Sequence, residues 1–186
     1  MKHINVGVIG ASGYTGLELV KILIKHPHFN LSYVANSEGD TSIAALHPSL
    51  SGVCDLKVQK ADVDAASASC ELVFLALPHK TAMAYVKPLL TNGTKVVDLS
   101  ADYRLPLDIY EAFYTYHTDV ANLEHVVYGL PEMFKEELKS AKLVANPGCF
   151  PTSAILGLLP FMDKRVPHTP IIVDAKTGVS GAGKKL

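Results

Sequence analysis

Three glycines set three residues apart, Gly10, Gly13 and Gly16, stand between an apolar run and a helical one. Upstream, Ile4 to Ile9 has the length and composition of a buried strand. Downstream, Leu17, Leu19, Val20, Leu23 and Ile24 recur at helical spacing until His26-Pro27 stops them. A strand, a tight glycine turn and a helix in that order make a βα unit, the building block of a parallel sheet covered by helices. The spacing is G-x-x-G-x-x-G rather than G-x-G-x-x-G. Glycines let a backbone approach a pyrophosphate closely, and the helix start turns N–H donors toward it. Gly10, Ser12, Gly13, Tyr14, Thr15 and Gly16 are therefore candidate dinucleotide-binding residues, with hydroxyls from Ser12 and Thr15. The bland alternative is a tight turn that holds no ligand.

The same alternation continues along the chain. Asn30 to Ala35 reads as the second strand, and it ends in the neutral residues Asn36 and Ser37. An NAD-preferring site usually carries Asp or Glu there, for the ribose diol. Asn36 and Ser37 leave room for a 2′-phosphate and lean toward NADP; Glu38 nearby, and no Arg at the strand end, pull the other way. Ile43 to Leu46 is expected as a short helix, His47 as an exposed loop residue, Leu56 to Gln59 as an edge strand, and Ala61 to Ser69 as a loop or weak helix. Glu71 to Leu77 is apolar throughout, as in a strand buried on both faces. Leu77 and Pro78 follow its carboxyl end, where such sheets bind ligands, and are expected to wall the cofactor; His79 reads as a cap or an exposed residue. A helix over Thr81 to Leu90 and a strand over Lys95 to Ser100 come next.

That strand delivers Ser100-Ala-Asp-Tyr-Arg104. The guanidinium of Arg104 suits a phosphate or carboxylate, or an ion pair with Asp98 or Asp102. A short helix over Tyr110 to Tyr116, a strand over Val126 to Tyr128, a helix reaching about Ser140 and a strand over Lys142 to Ala145 lead to Asn146-Pro-Gly-Cys149. The helical run Ser153 to Met162 follows, then a last strand over Thr169 to Lys176 and a glycine-rich loop. The fold class is thus α/β, a doubly wound, mostly parallel sheet of Rossmann type.

Cys149 falls at a strand-to-helix junction. Unpaired N–H groups at a helix start favour a thiolate, the reactive form of cysteine, which makes Cys149 the candidate nucleophile. Cys54 and Cys70 read as buried thiols. Three cysteines, odd in number and not at metal spacing, suit a reducing cytoplasm and predict no metal. A net charge of -1 without a basic stripe argues against nucleic acid. No apolar run is long enough to cross a bilayer, and the N-terminus lacks a signal-peptide pattern.

Five stretches align in order with one family. Gly10-Ala-Ser-Gly-Tyr-Thr-Gly16, Val97-Asp-Leu-Ser-Ala-Asp-Tyr-Arg-Leu105, Tyr128-Gly-Leu-Pro-Glu132, Ala145-Asn-Pro-Gly-Cys-Phe-Pro-Thr152 and Gly178-Val-Ser-Gly-Ala-Gly-Lys184 resemble N-acetyl-gamma-glutamyl-phosphate reductase, of the aspartate-semialdehyde dehydrogenase-like group. The resemblance covers nearly the whole chain. It implies an NADPH-dependent reduction of N-acetyl-L-glutamyl 5-phosphate to the semialdehyde, in arginine biosynthesis, through a thioester on Cys149. It also implies that Arg104 meets the substrate phosphate, that Asn146 and Thr152 orient the acyl group, and that Ser180 and Gly181 lie by the nicotinamide side of NADP. Residues 1–148 would be the nucleotide-binding domain and 149–186 the start of an α+β catalytic domain. The family is longer and places an acid/base histidine and a subunit-pairing sheet after the Ser-Gly-Ala-Gly-Lys loop. The chain is therefore expected to be part of a homo-oligomeric enzyme, to bind NADP and to be inactive alone. Two rivals stay open: a non-catalytic nucleotide-binding module with an inert Cys149, and a related reductase acting on another acyl phosphate.

Overall fold

The computed structural model describes residues 3–162 and 170–184. Its centre is β1 (Ile4–Ile9). Val6 and Val8 point to one face of the sheet and Ile9 to the other, the two-residue alternation of a strand buried on both sides. α1 (Tyr14–Leu23) follows the glycine turn and buries Val20 and Leu23 against the Val6–Val8 face. β2 (Phe29–Asn36) then pairs in parallel with β1, from Ile4 opposite Phe29 to Ile9 opposite Ala35.

β3 (Thr41–Ser42), α2 (Ile43–Leu46) and a 3-10 turn (Pro48–Leu50) come next, then β4 (Lys57–Lys60). β4 was expected at the sheet edge. It lies second, because β3 pairs antiparallel outside it. α3 (Val63–Ser69) is a helix, started by Asp62, whose carboxylate accepts the Ala65 N–H at 2.8 Å.

The chain then crosses β1. β5 (Leu72–Leu75), α4 (Met83–Thr91) and β6 (Lys95–Asp98) build the other half of the sheet. α5 (Leu107–Phe113) begins three residues before the expected Tyr110. α6 (Val120–Leu123), β7 (Val127–Tyr128), α7 (Pro131–Ser140) and β8 (Leu143–Ala145) complete it. The strand order is β3-β4-β2-β1-β5-β6-β8-β7, parallel except for β3. The order in which strands are added reverses between β1 and β5, and the carboxyl ends of those two parallel strands flank the crevice where such sheets bind ligands.

α8 (Cys149–Met162) starts four residues earlier than the expected Ser153, so Cys149 is its first residue. The strand expected over Thr169 to Lys176 does not form: residues 170–178 have no regular structure, and Ile172 is 90 % exposed. Thr169 lies outside the described residues. An apolar run becomes a strand by pairing, and among the described residues no strand pairs with it.

Candidate active site

The glycine turn sits where β1 ends. Gly10 has φ +94°, and a methyl group built on it would lie 2.2 Å from the carbonyl oxygen of Ala76, just past β5. A methyl on Gly16 would lie 2.4 Å from the Gly10 carbonyl. Both glycines are therefore demanded by packing. Gly13 is different: a methyl there would meet nothing nearer than the Gly10 carbonyl at 3.9 Å. The outer side of the turn is open, with Tyr14 and Thr15 exposed and Ser12 half-buried. No side chain caps α1, and its first turn holds no carboxylate. The residues present fit a phosphate group, which the helix start would attract.

Around this turn, the expected cofactor residues separate into two kinds. Asn36 is buried, and its Oδ1 accepts the N–H groups of Glu38 at 3.0 Å and Gly39 at 2.6 Å. Its oxygen folds the loop after β2. Ser37 is exposed beside it. Leu77 is half-buried and Pro78 exposed, on the loop after β5. Ser180 and Gly181 lie in a short 3-10 turn (Val179–Ala182), and Lys184 at its end donates to the Ser12 carbonyl at 3.4 Å. The second glycine loop thus touches the first glycine turn.

The loops after β5 and β6 are locked together by a buried carboxylate. Asp102 accepts the Lys80 N–H at 2.7 Å, the Ala82 N–H at 3.0 Å and the Tyr110 hydroxyl at 2.9 Å. Lys80 is held at φ +73°, an uncommon conformation for a side-chain-bearing residue. His79, exposed as expected, accepts the Ala101 N–H at 2.9 Å. Asp98 accepts the N–H and hydroxyl of Ser100. Burial raises its carboxyl to about 6, only partly opposed by those two bonds. Burial raises the Tyr103 hydroxyl too, as does its bond to Asp119, and it raises the Tyr110 hydroxyl likewise. Among the described residues no buried side-chain nitrogen or oxygen lacks a partner.

Arg104 makes no ion pair with Asp98 or Asp102. Its Nε donates to the Asn146 carbonyl at 2.7 Å and its Nη2 to the Leu99 carbonyl at 2.6 Å. A planar fork thereby ties the loop after β6 to the loop after β8. A methyl built on Gly148 would lie 3.1 Å from Arg104 Nη1, so the third nitrogen of the guanidinium faces the residue before Cys149. Asn146 Nδ2 donates to the Pro147 carbonyl at 3.1 Å, and the Thr152 hydroxyl to the Gly148 carbonyl at 2.9 Å. Both side chains shape the turn that carries Cys149. Cys149 is exposed, whereas Cys54 and Cys70 are buried. Burial also raises the Cys70 thiol.

Two histidines have roles that sequence reasoning missed. His47, expected to be exposed, is buried and bonded to the Ala11 carbonyl. His117 is fully buried between Tyr103 and Tyr110. Its Nδ1 accepts the Asp119 N–H at 3.1 Å, so its Nε2 carries the proton donated to the Asp102 carbonyl at 2.9 Å. The stretch Leu46-His47-Pro48 was the available clue for the first; nothing local marks the second.

A cavity of about 260 Å³ opens beside Tyr103, Arg104 and Tyr128. The larger one, about 480 Å³ beside Lys87, Thr91 and Lys142, lies at the opposite, amino end of the strands, away from the glycine turn and Cys149. Among the described residues no three His, Cys, Asp or Glu side chains gather as a metal site, and no helix is long and apolar enough to cross a membrane.

Known proteins resemble this chain over its whole length. Residues 5–141 match the family model "Semialdehyde dehydrogenase, NAD binding domain", and residues 149–186 match "Semialdehyde dehydrogenase, dimerisation domain". The N-acetyl-gamma-glutamyl-phosphate reductase of Sulfurimonas denitrificans is 73 % identical over 186 residues, all of this chain and 56 % of that protein. That of Sulfurovum sp. is 62 % identical over 183 residues, 98 % of this chain and 55 % of that protein. The chain thus spans about half the length of the curated relatives it matches. Among solved structures, aspartate semialdehyde dehydrogenase with NADP from Candida albicans superposes with a TM-score of 0.66 at 19 % identity, over 89 % of this chain and 48 % of that one. The Vibrio cholerae aspartate semialdehyde dehydrogenase II complex with ASA gives 0.64 at 15 % identity, over 99 % and 49 %. At these identities they speak for the fold alone.

Proposed function

The chain belongs to the semialdehyde dehydrogenase family through its NAD-binding domain, and from that premise we propose that it is the nucleotide-binding and nucleophile-bearing part of an NADP-dependent N-acetyl-gamma-glutamyl-phosphate reductase acting in arginine biosynthesis. The observation that carries the reading is Cys149, an exposed thiol on the first residue of a helix, at the carboxyl edge of the sheet that also holds the glycine turn.

In this reading the thiolate of Cys149 attacks the acyl carbon of N-acetyl-L-glutamyl 5-phosphate. A carbon–sulfur bond forms, the bond from carbon to the phosphate oxygen breaks, and phosphate leaves with the electron pair. Backbone N–H groups at the start of α8 stabilise the developing oxyanion. Arg104 holds the two loops in register through Nε and Nη2, and its Nη1 side receives the substrate phosphate. Asn146 and Thr152 fix the turn that aims the thiol. NADP would be held by Gly10, Ser12, Gly13, Tyr14, Thr15 and Gly16 at the pyrophosphate, by Asn36 and Ser37 near the adenosine ribose, and by Leu77, Pro78, Ser180 and Gly181 toward the nicotinamide. The reduced cofactor would supply a hydride to the acyl carbon; as the carbon–hydrogen bond forms, the carbon–sulfur bond breaks, the aldehyde is released and Cys149 regains its thiolate. Residues 1–148 form the nucleotide domain, and 149–186 open a substrate domain through which the full-length enzyme pairs with its own copies. The enzyme works in the cytoplasm and needs no metal.

Alkylation separates this from an inert binding module. With limiting iodoacetamide near neutral pH, Cys149 should be modified well ahead of Cys54 and Cys70; equal or slower labelling would favour the module. Assay of the protein at its relatives' full length with N-acetyl-glutamyl and aspartyl phosphates then fixes the substrate: NADPH oxidation with aspartyl phosphate alone would overturn the assignment.

A further inference from the structure

Ala11 follows the first glycine of the turn and is wholly buried. Its N–H donates to the Ala35 carbonyl at 3.0 Å, beside the 2.8 Å bond from Gly10. Its own carbonyl is met by the ring of His47, at 2.6 Å from Nε2. A carbonyl only accepts, so Nε2 carries the proton and donates it. His47 is 5 % exposed. Its backbone is fixed on both sides, its N–H on the Ile43 carbonyl at 2.9 Å and its carbonyl under the Leu50 N–H at 2.9 Å. The ring is thus carried by a short rigid corner between α2 and the Pro48–Leu50 turn, 36 residues away in sequence from the atom it holds.

The consequence lies in the geometry of one peptide. Across a planar trans peptide the carbonyl and the next N–H point in opposite directions. With the Ala11 carbonyl drawn inward to His47, the Ser12 N–H is aimed the opposite way, away from that buried ring. A flipped peptide would present the oxygen there instead, and an oxygen repels a phosphate where an N–H attracts it.

We propose that His47 is a positioning residue for the dinucleotide: by holding the Ala11 carbonyl inward, it fixes the Ala11–Ser12 peptide so that the Ser12 N–H faces the phosphate linkage. The inference rests on the reading that the chain binds NADP, and it assigns to His47 no contact with the cofactor.

The test titrates the chain with two probes. NADPH carries the pyrophosphate; adenosine 2′-monophosphate carries the adenosine and 2′-phosphate but no 5′-phosphate. His47→Ala should weaken NADPH about tenfold, the scale of one lost hydrogen bond to a charged group, and leave adenosine 2′-monophosphate binding unchanged. His47→Gln, whose amide nitrogen reaches the place of Nε2, should restore most of the loss; His47→Asn, too short, should not. Equal weakening of both probes, no weakening of either, or failure of Gln to rescue would overturn the proposal. If the wild-type chain takes up adenosine 2′-monophosphate and not NADPH, the phosphate half of the cofactor reading fails and His47 with it. If it takes up neither, the cofactor reading itself falls.

Discussion

Gly10 and Gly13 belong to one turn but are glycine for different reasons. Gly10 sits at φ +94° with a carbonyl where its side chain would be; Gly13 has ordinary angles (φ -81°, ψ 171°) and open space. Gly10→Ala should cost on the order of 2 kcal/mol or more, from the strained backbone and the clash. Gly13→Ala should cost less than about 1 kcal/mol, as a change of helix cap, yet should weaken NADPH clearly. Urea unfolding and calorimetric titration of the two variants check this; a stable Gly10→Ala, or a Gly13→Ala with unchanged affinity, would contradict it. At this scale the chemistry-bearing residues were readable because local context marks them: glycines between strand and helix, a cysteine after Asn-Pro-Gly. His47 and His117 were not, because their partners are the Ala11 and Asp102 backbone carbonyls, brought near only by the fold. Arg104 was half readable. Its charge marks it in the sequence, but its partners are carbonyls of two loops rather than carboxylates.

Among the elements, β6 and its following loop carry the most buried charge. The Asp98 carboxyl is raised from 3.8 to about 6, chiefly by burial. Between pH 4 and 6 the folded chain therefore binds more protons at this site than the unfolded chain. By linkage, this group's contribution to stability falls as pH rises through that window and stays level above it. The penalty at neutral pH is on the order of 2–3 kcal/mol. The stability of the wild type minus that of Asp98→Asn should accordingly fall by about that amount from pH 4 to pH 7, as read by urea unfolding. Parallel pH curves would contradict it. The sequence shows that buried-strand elements such as β1 and β5 exist, because hydrophobic runs bounded by turns are local. Elements set by a neighbour were not visible: β3 is two residues long and owes its place to β4. The run after Thr169 has strand composition but no strand beside it among the described residues.

For the molecule as a whole, the sheet has two unequal halves. Around β1 both faces are covered, by α1 and α2 on one side and by α3 and α4 on the other. Toward β8, Phe74, Val97 and Val144 stand side by side across three strands and remain half-buried, and α8 is apolar yet buries none of its residues fully. In the proposed reading the domain that opens at Cys149 supplies that cover, in keeping with the match of residues 149–186 to a dimerisation domain. The doubly wound architecture was legible from the alternation of strand and helix alone. The relation of the two glycine loops, joined by Lys184 and the Ser12 carbonyl, was not, since 172 residues separate them. In the proposed reading Cys149 accepts the acyl group. The protein at its relatives' full length, mixed with N-acetyl-L-glutamyl 5-phosphate without NADPH, acid-quenched and digested, tests this by mass spectrometry. An N-acetylglutamyl thioester is expected on the peptide bearing Cys149 and not in Cys149→Ser; phosphate release with no adduct, or an adduct on Cys54 or Cys70, would rule out Cys149 as the acyl acceptor.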